Sequence, residues 1–149
     1  MTKQVRLIHS LHQSKLQEAL QSGLRAGSDY DDLGLDIRQN TVYCWLRKED
    51  DKLSSNGQKP EHVYLEITVD EDRCTVAEMD FASLALMYRQ GQRGKPKDER
   101  VAALFGDIYR LTSVPLCDYK PGVFWSPEVL VKGEVEPECI RVIRDGGSQ

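Results

Sequence analysis

A single carboxylate, Glu128, stands at the start of a short apolar run and has the chemistry that glycosyl transfer requires. The run covers residues 129–131, and an aromatic-rich turn covers residues 123–125 just before it. A strand that begins with a lone carboxylate leaves that group little freedom to move, and apolar neighbours exclude water from it. Such a group can stabilise the positive charge that develops on a sugar when its glycosidic bond breaks. We therefore treat Glu128 as the candidate catalytic residue.

His9 and Ser10 follow the apolar segment 5–8, which the sequence predicts to be a first strand. A histidine at the end of a strand, next to a hydroxyl, can donate a hydrogen bond into a cleft. The alternative is a surface or half-buried histidine without a functional role. The other two histidines, His12 and His62, form no metal-ligand spacing with the cysteines, so no zinc site is expected.

Three further side chains fall on the same side of a predicted strand over residues 41–46, because side chains alternate along a strand with period two. Tyr43 and Trp45 either stack on a flat ligand ring or serve as core and edge aromatics. Arg47 comes two residues later, and its planar fork suits a diphosphate or a carboxylate. The alternative for Arg47 is a solvated side chain.

Glu66 competes with Glu128 for the role of the active carboxylate. It lies opposite the apolar side of a clearly alternating strand, residues 63–69, and either faces solvent or lines a groove. Glu128 is favoured because it begins its strand beside the aromatic turn. The sequence contains no glycine-rich phosphate loop, G-x-S-x-G, H-E-x-x-H or C-x-x-C motif, which argues against nucleotide hydrolysis by a P-loop and against serine hydrolase chemistry.

The elements that must position these residues alternate irregularly between strands and helices. Strands are predicted over residues 5–8, 41–46, 63–69, 74–79, 129–131 and 140–143, and helices over residues 15–23, 81–88 and 99–111. In the last helix a core-facing stripe is predicted from the helical spacing of Val101, Leu104, Phe105, Ile108 and Leu111. Strands gathered in the middle and at the end, with helices between them, indicate an α+β domain.

Length and composition indicate an ordinary globular protein. The 149 residues suit a single domain over 1–149, and 40% of them are apolar and 30% charged. No apolar stretch reaches the roughly 20 residues that span a bilayer, and the N-terminus lacks a signal-like apolar core, so we expect a cytoplasmic protein without a membrane partner. The net charge of −4 argues against indiscriminate nucleic-acid binding. Reduced, partly buried thiols are expected for Cys44, Cys74, Cys117 and Cys139.

Four segments of the chain follow one another in an order that is typical of a known fold. They are residues 7–10 with the helix that ends at 22–24, residues 42–47, residues 63–67, and residues 127–131 with 135–140. In this order they resemble the ADP-ribosyltransferase fold, and within it the small bacterial enzymes related to the DarT-type DNA ADP-ribosyltransferases. The resemblance covers most of the chain. It implies an α+β, ADP-ribosyltransferase-like split β-sheet with flanking helices.

The resemblance also implies a reaction and a role for each candidate residue. NAD would be bound as substrate, its nicotinamide N-glycosidic bond cleaved, and ADP-ribose transferred to an acceptor. His9 would bind a ribose hydroxyl, Ser10 would support the nucleotide, and Tyr43 would stack near nicotinamide. Arg47 would hold the diphosphate or orient the substrate, and Glu128 would be the catalytic carboxylate. No metal is implied.

The partners implied by the resemblance are NAD, a nucleic-acid or protein acceptor and, if the chain is a toxin, an antitoxin protein. Two alternatives stay open at this point. One is a non-catalytic module of the same fold that binds a nucleotide or a protein. The other is a small nuclease-type toxin that uses Glu66 or His9 as a general base.

Overall fold

Seven antiparallel strands and three α-helices form the part of the chain that the computed structural model describes, residues 2–26, 35–46, 61–91, 94 and 96–144. The strands are β1 (Gln4–His12), β2 (Thr41–Leu46), β3 (His62–Asp70), β4 (Cys74–Glu78), β5 (Val114–Pro115), β6 (Pro127–Lys132) and β7 (Ile140–Arg144). The helices are α1 (Leu16–Ser22), α2 (Met79–Gln90) and α3 (Glu99–Thr112). The predicted α+β class is confirmed.

The strands form one sheet in the order β5-β4-β6-β2-β1-β3-β7. β1 pairs with β3 over its whole length, from Gln4 opposite Asp70 to His12 opposite His62. The long apolar β3 therefore holds β1 in extended conformation well beyond the predicted segment 5–8. The sequence had predicted that His9 follows the end of the strand. Because of this pairing, His9 instead lies inside the strand.

β1 and β2 diverge after a short paired region. They pair at Leu7 with Leu46 and at Ile8 with Trp45, and the described register ends there. On its other side, β2 pairs with β6 from Thr41 onward, opposite Lys132. The sheet is therefore continuous through β2, but a gap opens between β1 and β2 toward the C-terminal end of β1.

Both faces of β6 are buried. Val129 and Val131 belong to the larger apolar core, whereas Leu130 packs with Tyr109 of α3 in a smaller cluster on the other face. A strand that is covered on both faces carries a continuous apolar run, as residues 129–131 do, and not an alternating one. This central, doubly covered strand is the one that carries Glu128.

The buried face of α3 is not the predicted stripe. Leu104 is 57% exposed and Leu111 71% exposed, and the other three members of the stripe are half-buried. The buried residues are Ala102, Gly106 and Tyr109, which follow the same helical spacing one step away. The small side chains at the first two positions allow close packing, which brings the Tyr109 ring down onto the sheet.

The four cysteines are free thiols. Cys44 and Cys74 are buried, and burial raises the pKa of Cys74 to about 12 and that of Cys44 well above its usual value. Cys139 is partly buried, but Cys117 is exposed, so the prediction of partial burial is wrong for that residue. Within the described ranges, no helix has the length and apolar character required to cross a bilayer.

Gly23 ends α1 in a backbone conformation that only glycine adopts readily, with φ 87° and ψ −173°. The next residue, Leu24, exchanges two backbone hydrogen bonds of 2.9 Å with Val135. A Cβ atom at Gly23 would collide with the Val135 carbonyl oxygen. The close approach of these two backbone segments therefore depends on the missing side chain.

We expect Gly23→Ala to lower the free energy of unfolding by about 3 kcal/mol, because strain and the backbone collision add. Chemical denaturation measures the loss. The matched control is Gly122→Ala, which also has positive φ, +94°, but no atom within 4 Å of its added Cβ. That control should lose about 1 kcal/mol, and equal losses in the two variants would contradict the role assigned to the collision.

Candidate functional site

A cavity of about 560 Å³ lies in the gap between β1 and β2. His9 and Ser10 line it from β1, and Tyr43 and Trp45 line it from β2. α1 and the residues that follow it, 23–25, also contribute to its lining. Its volume is in the range of sites that hold small molecules and cofactors. Three of the predicted nucleotide-binding residues therefore meet at one cavity.

His9 bridges the two sides of the gap. Its Nδ1 lies 2.7 Å from the carbonyl oxygen of Tyr43. A carbonyl only accepts, so the network assigns the hydrogen to Nδ1. Burial lowers the pKa of His9 and the bond to Tyr43 opposes that shift, so the ring is neutral at pH 7. Nε2 is then an acceptor and can receive a hydrogen bond from a hydroxyl group of a ligand. The sequence had predicted the opposite direction, with His9 as the donor into the cleft.

Ser10 is oriented by a neighbouring histidine on the cavity wall. Its Oγ lies 3.0 Å from Nδ1 of His62, and the His12 ring stands edge-on to His62 with 5.8 Å between centroids. His12 Nε2 in turn lies 3.4 Å from Glu61. A hydroxyl held in this way has a fixed position, which suits a supporting contact to a bound nucleotide.

Tyr43 carries an arginine on its ring. The guanidinium carbon of Arg38 lies 4.5 Å from the Tyr43 ring centroid, a cation–π distance, and the Tyr43 hydroxyl donates to the Arg38 carbonyl at 3.2 Å. One part of the ring surface is thus occupied within the protein. The predicted stacking on nicotinamide is restricted to the ring surface that borders the cavity.

Glu128 is held by two donors that converge on one of its oxygens. Arg38 Nη1 lies 2.7 Å and the Tyr109 hydroxyl 2.8 Å from Oε1, and Arg38 Nη1 also donates to the Tyr109 oxygen at 2.8 Å. Glu128 is 7% exposed. In the aromatic turn that was predicted to shield it, Val123 is 64% and Trp125 84% exposed, whereas Phe124 packs against the core.

The electrostatics of this cluster keep Arg38 and Tyr109 in the protonated forms that donate hydrogen bonds. Burial is the largest single influence on Arg38 and lowers its pKa, but the attractions of Glu128, Tyr109 and Tyr43 together outweigh it, so the pKa is raised. Burial raises the pKa of Tyr109, and the negative charge of Glu128 raises it further, so the phenol stays protonated and donates. Among the described residues none donates to Glu128 Oε2, so this oxygen can accept a hydrogen bond from a bound hydroxyl.

Three of the predicted residues, His9, Tyr43 and Glu128, are connected by contacts that run through Arg38, although Glu128 does not line the cavity. His9 binds the backbone of Tyr43, the Tyr43 ring lies under Arg38, and Arg38 binds Glu128. Arg47 lies outside the described residues. Glu66 accepts two hydrogen bonds from Arg141, at 3.2 and 2.9 Å, and is not part of the cavity wall.

Sequence reasoning missed Arg38 and Tyr109. Arg38 ends a short 3-10 turn, Asp36–Arg38, in a segment for which the sequence predicted neither a strand nor a helix. Thr41 Oγ1 donates to the Arg38 carbonyl at 2.7 Å and fixes the turn, which the sequence does not reveal. Tyr109 carried a weak signal, since it shares a helix face with the small residues Ala102 and Gly106.

No family model matches the chain, and no match is found among curated proteins or among solved structures. Within the described ranges, no group of three or more His, Cys, Asp or Glu side chains is arranged to hold a metal ion. The fold and the cluster around Glu128 are therefore the basis for a functional proposal.

We expect His9 to make stability depend on pH below its ordinary pKa of 6.5. Because its folded pKa is lowered, the unfolded chain binds a proton first as the pH falls through 6.5. The His9 contribution is thus complete above pH 6.5 and is lost below it, with a slope of at most about 1.4 kcal/mol per pH unit. Denaturation between pH 5 and 8 should show this slope in wild type and in His12→Gln but not in His9→Gln, and an unchanged slope in His9→Gln would refute it.

We expect Arg38→Met to lower the free energy of unfolding by about 3–5 kcal/mol, because it leaves the Glu128 carboxylate buried without a cation. The double variant Arg38→Met/Glu128→Gln removes that charge and should recover about half of the loss. Chemical denaturation of the wild type, of Arg38→Met, of Glu128→Gln and of the double variant gives the coupling energy. Strictly additive losses would mean that the ion pair does not couple these two residues.

Proposed function

We propose that this protein is an NAD-dependent ADP-ribosyltransferase that cleaves the nicotinamide N-glycosidic bond and transfers ADP-ribose to a nucleic-acid or protein acceptor. The observation that carries the proposal is the state of Glu128. Its carboxylate is buried and paired with Arg38, and among the described residues none donates a hydrogen bond to its second oxygen. Glycosyl transfer through an oxocarbenium-like transition state uses a positioned carboxylate.

The cavity supports the same function, because it provides a place for NAD to bind. It lies one strand away from Glu128, with β2 forming its wall and pairing with β6. NAD would enter the gap with a ribose hydroxyl on His9 Nε2 and support from the oriented hydroxyl of Ser10. The nicotinamide end would pass along Tyr43 toward Glu128.

The role of Glu128 in the reaction follows from charge. Breaking the bond between nicotinamide and ribose places positive charge on the ribose, and a hydrogen bond from the neighbouring 2′-hydroxyl to Oε2 strengthens as that charge develops. The same carboxylate can take the proton of the acceptor nucleophile. Arg38 and Tyr109 position the carboxylate by holding Oε1, so Oε2 is the oxygen that remains for the substrate.

A second candidate, a non-catalytic nucleotide-binding module, is favoured by one observation. Glu128 Oε1 already accepts two hydrogen bonds, and the carboxylate does not line the cavity. In that case NAD or a related nucleotide would bind at His9, Ser10 and Tyr43 without loss of nicotinamide. A nuclease reaction with Glu66 as general base gains no such support, because Arg141 holds that carboxylate.

We expect the wild-type protein to release nicotinamide from NAD and Glu128→Gln to release it at least about 100-fold more slowly. Glutamine keeps an oxygen for Arg38 and Tyr109 but loses the negative charge, so the fold should persist. Chromatography of nicotinamide measures the rate, and a panel of labelled nucleic-acid and protein acceptors measures transfer. The shift in melting temperature on adding NAD measures binding.

The matched control is Glu138→Gln, the same substitution at an exposed residue, which should keep the wild-type rate. Equal rates in wild type and Glu128→Gln would remove Glu128 from the mechanism. If NAD raised the melting temperature of wild type and of Glu128→Gln but neither released nicotinamide, the protein would be a nucleotide-binding module and not an enzyme.

A further inference from the structure

Glu78 is a buried carboxylate that receives its hydrogen bonds from the backbone. It is the last residue of β4 and is 4% exposed. Its Oε1 accepts from the Trp125 N–H at 2.7 Å, and its Oε2 accepts from the Ser126 N–H at 2.8 Å. Among the described residues, no Lys, Arg or His forms an ion pair with it.

Both of these N–H groups precede the strand that carries Glu128. In the ladder between β4 and β6, Glu78 stands opposite Pro127, and Ala77 stands opposite Glu128. Proline has no N–H to give to a neighbouring strand. The Glu78 side chain instead anchors the two residues before Pro127, and the Met79 N–H anchors the same segment by donating to the Ser126 carbonyl at 2.9 Å.

A buried carboxylate without a cation is tolerated when its oxygens are satisfied by hydrogen bonds, and bonds from N–H groups to a charged acceptor are among the strong ones. Glu78 also directly precedes α2, whose N-terminus favours negative charge. The segment 125–126 is therefore fixed through its backbone while the Trp125 side chain stays in solvent. Because these bonds hold the backbone of the two residues before Pro127, their consequence falls on the path of the chain into β6.

We propose that Glu78 is a positioning residue for Glu128. By fixing the two residues before Pro127, it sets the direction in which β6 enters the sheet, and with it the direction in which the Glu128 carboxylate meets Arg38 and Tyr109. The link to activity rests on the proposed function, whereas the link to the placement of Glu128 does not.

The test compares Glu78→Gln with Glu66→Gln. Glu66 is a matched control because it is also a buried strand carboxylate, 6% exposed, but it binds Arg141 on the β3–β7 side of the sheet. A glutamine at 78 can accept only one of the two N–H groups with its oxygen. We expect amide hydrogen exchange at Trp125 and Ser126 to rise about tenfold in Glu78→Gln and to stay unchanged in Glu66→Gln.

Placement of Glu128 is read directly from its carboxylate carbon by NMR on protein with ¹³C-labelled glutamate, the resonance being assigned by its loss in Glu128→Gln. We expect that resonance to move in Glu78→Gln and to stay in place in Glu66→Gln. In the nicotinamide-release assay we expect kcat to fall about tenfold in Glu78→Gln with an unchanged KM for NAD, because a small misplacement affects the chemical step more than binding.

A Glu128 resonance that stays in place in folded Glu78→Gln overturns the proposal, whether or not the protein acts on NAD. Equal changes in the two glutamine variants overturn it as well, because they would show a general loss of stability. A wild type that releases no nicotinamide refutes the proposed function alone, and the NMR result then decides the role of Glu78.

Discussion

The ion pair between Arg38 and Glu128 is the contact on which the arrangement of this protein depends. It joins a short turn, the central strand β6 and, through Tyr109, the helix α3. Two buried charges are tolerated only when they are paired and hydrogen-bonded, because either charge alone would have an uncompensated desolvation penalty. The carboxylate that the proposed reaction needs therefore also contributes to the stability of the fold.

β2 connects the two halves of the candidate site. One of its edges borders the cavity that His9 and Ser10 line, and the other pairs with the strand of Glu128. Tyr43 takes part in both halves, since its carbonyl binds His9 and its ring lies under Arg38. A ligand that displaced Tyr43 would thus alter the surroundings of Glu128 without touching it, which gives the two halves a physical means of coupling.

The sequence predicted those parts of the fold that depend on local patterns. β2 begins and ends where its β-branched and aromatic run does, and the alternation in residues 63–69 correctly located β3. The contacts that assemble the site are not local: Arg38 and Glu128 are 90 residues apart, and Glu78 and Ser126 are 48 apart. Those contacts depend on turn residues and on a shifted helix face, which no periodic pattern in the sequence indicates. Glu128 could therefore be proposed from the sequence, but its partners could not.

The position of β6 in the sheet has a consequence for the way the chain is made. β6 lies between β2 and β4, two strands that the ribosome delivers earlier and that cannot pair across the place β6 fills. The sheet therefore stays in two pieces during synthesis until residues 127–132 emerge, and such distant pairings form slowly. Because Glu128 lies on that same strand, the step that completes the sheet also supplies the carboxylate. A nascent chain that lacks residues 127–132 has neither the complete sheet nor the carboxylate.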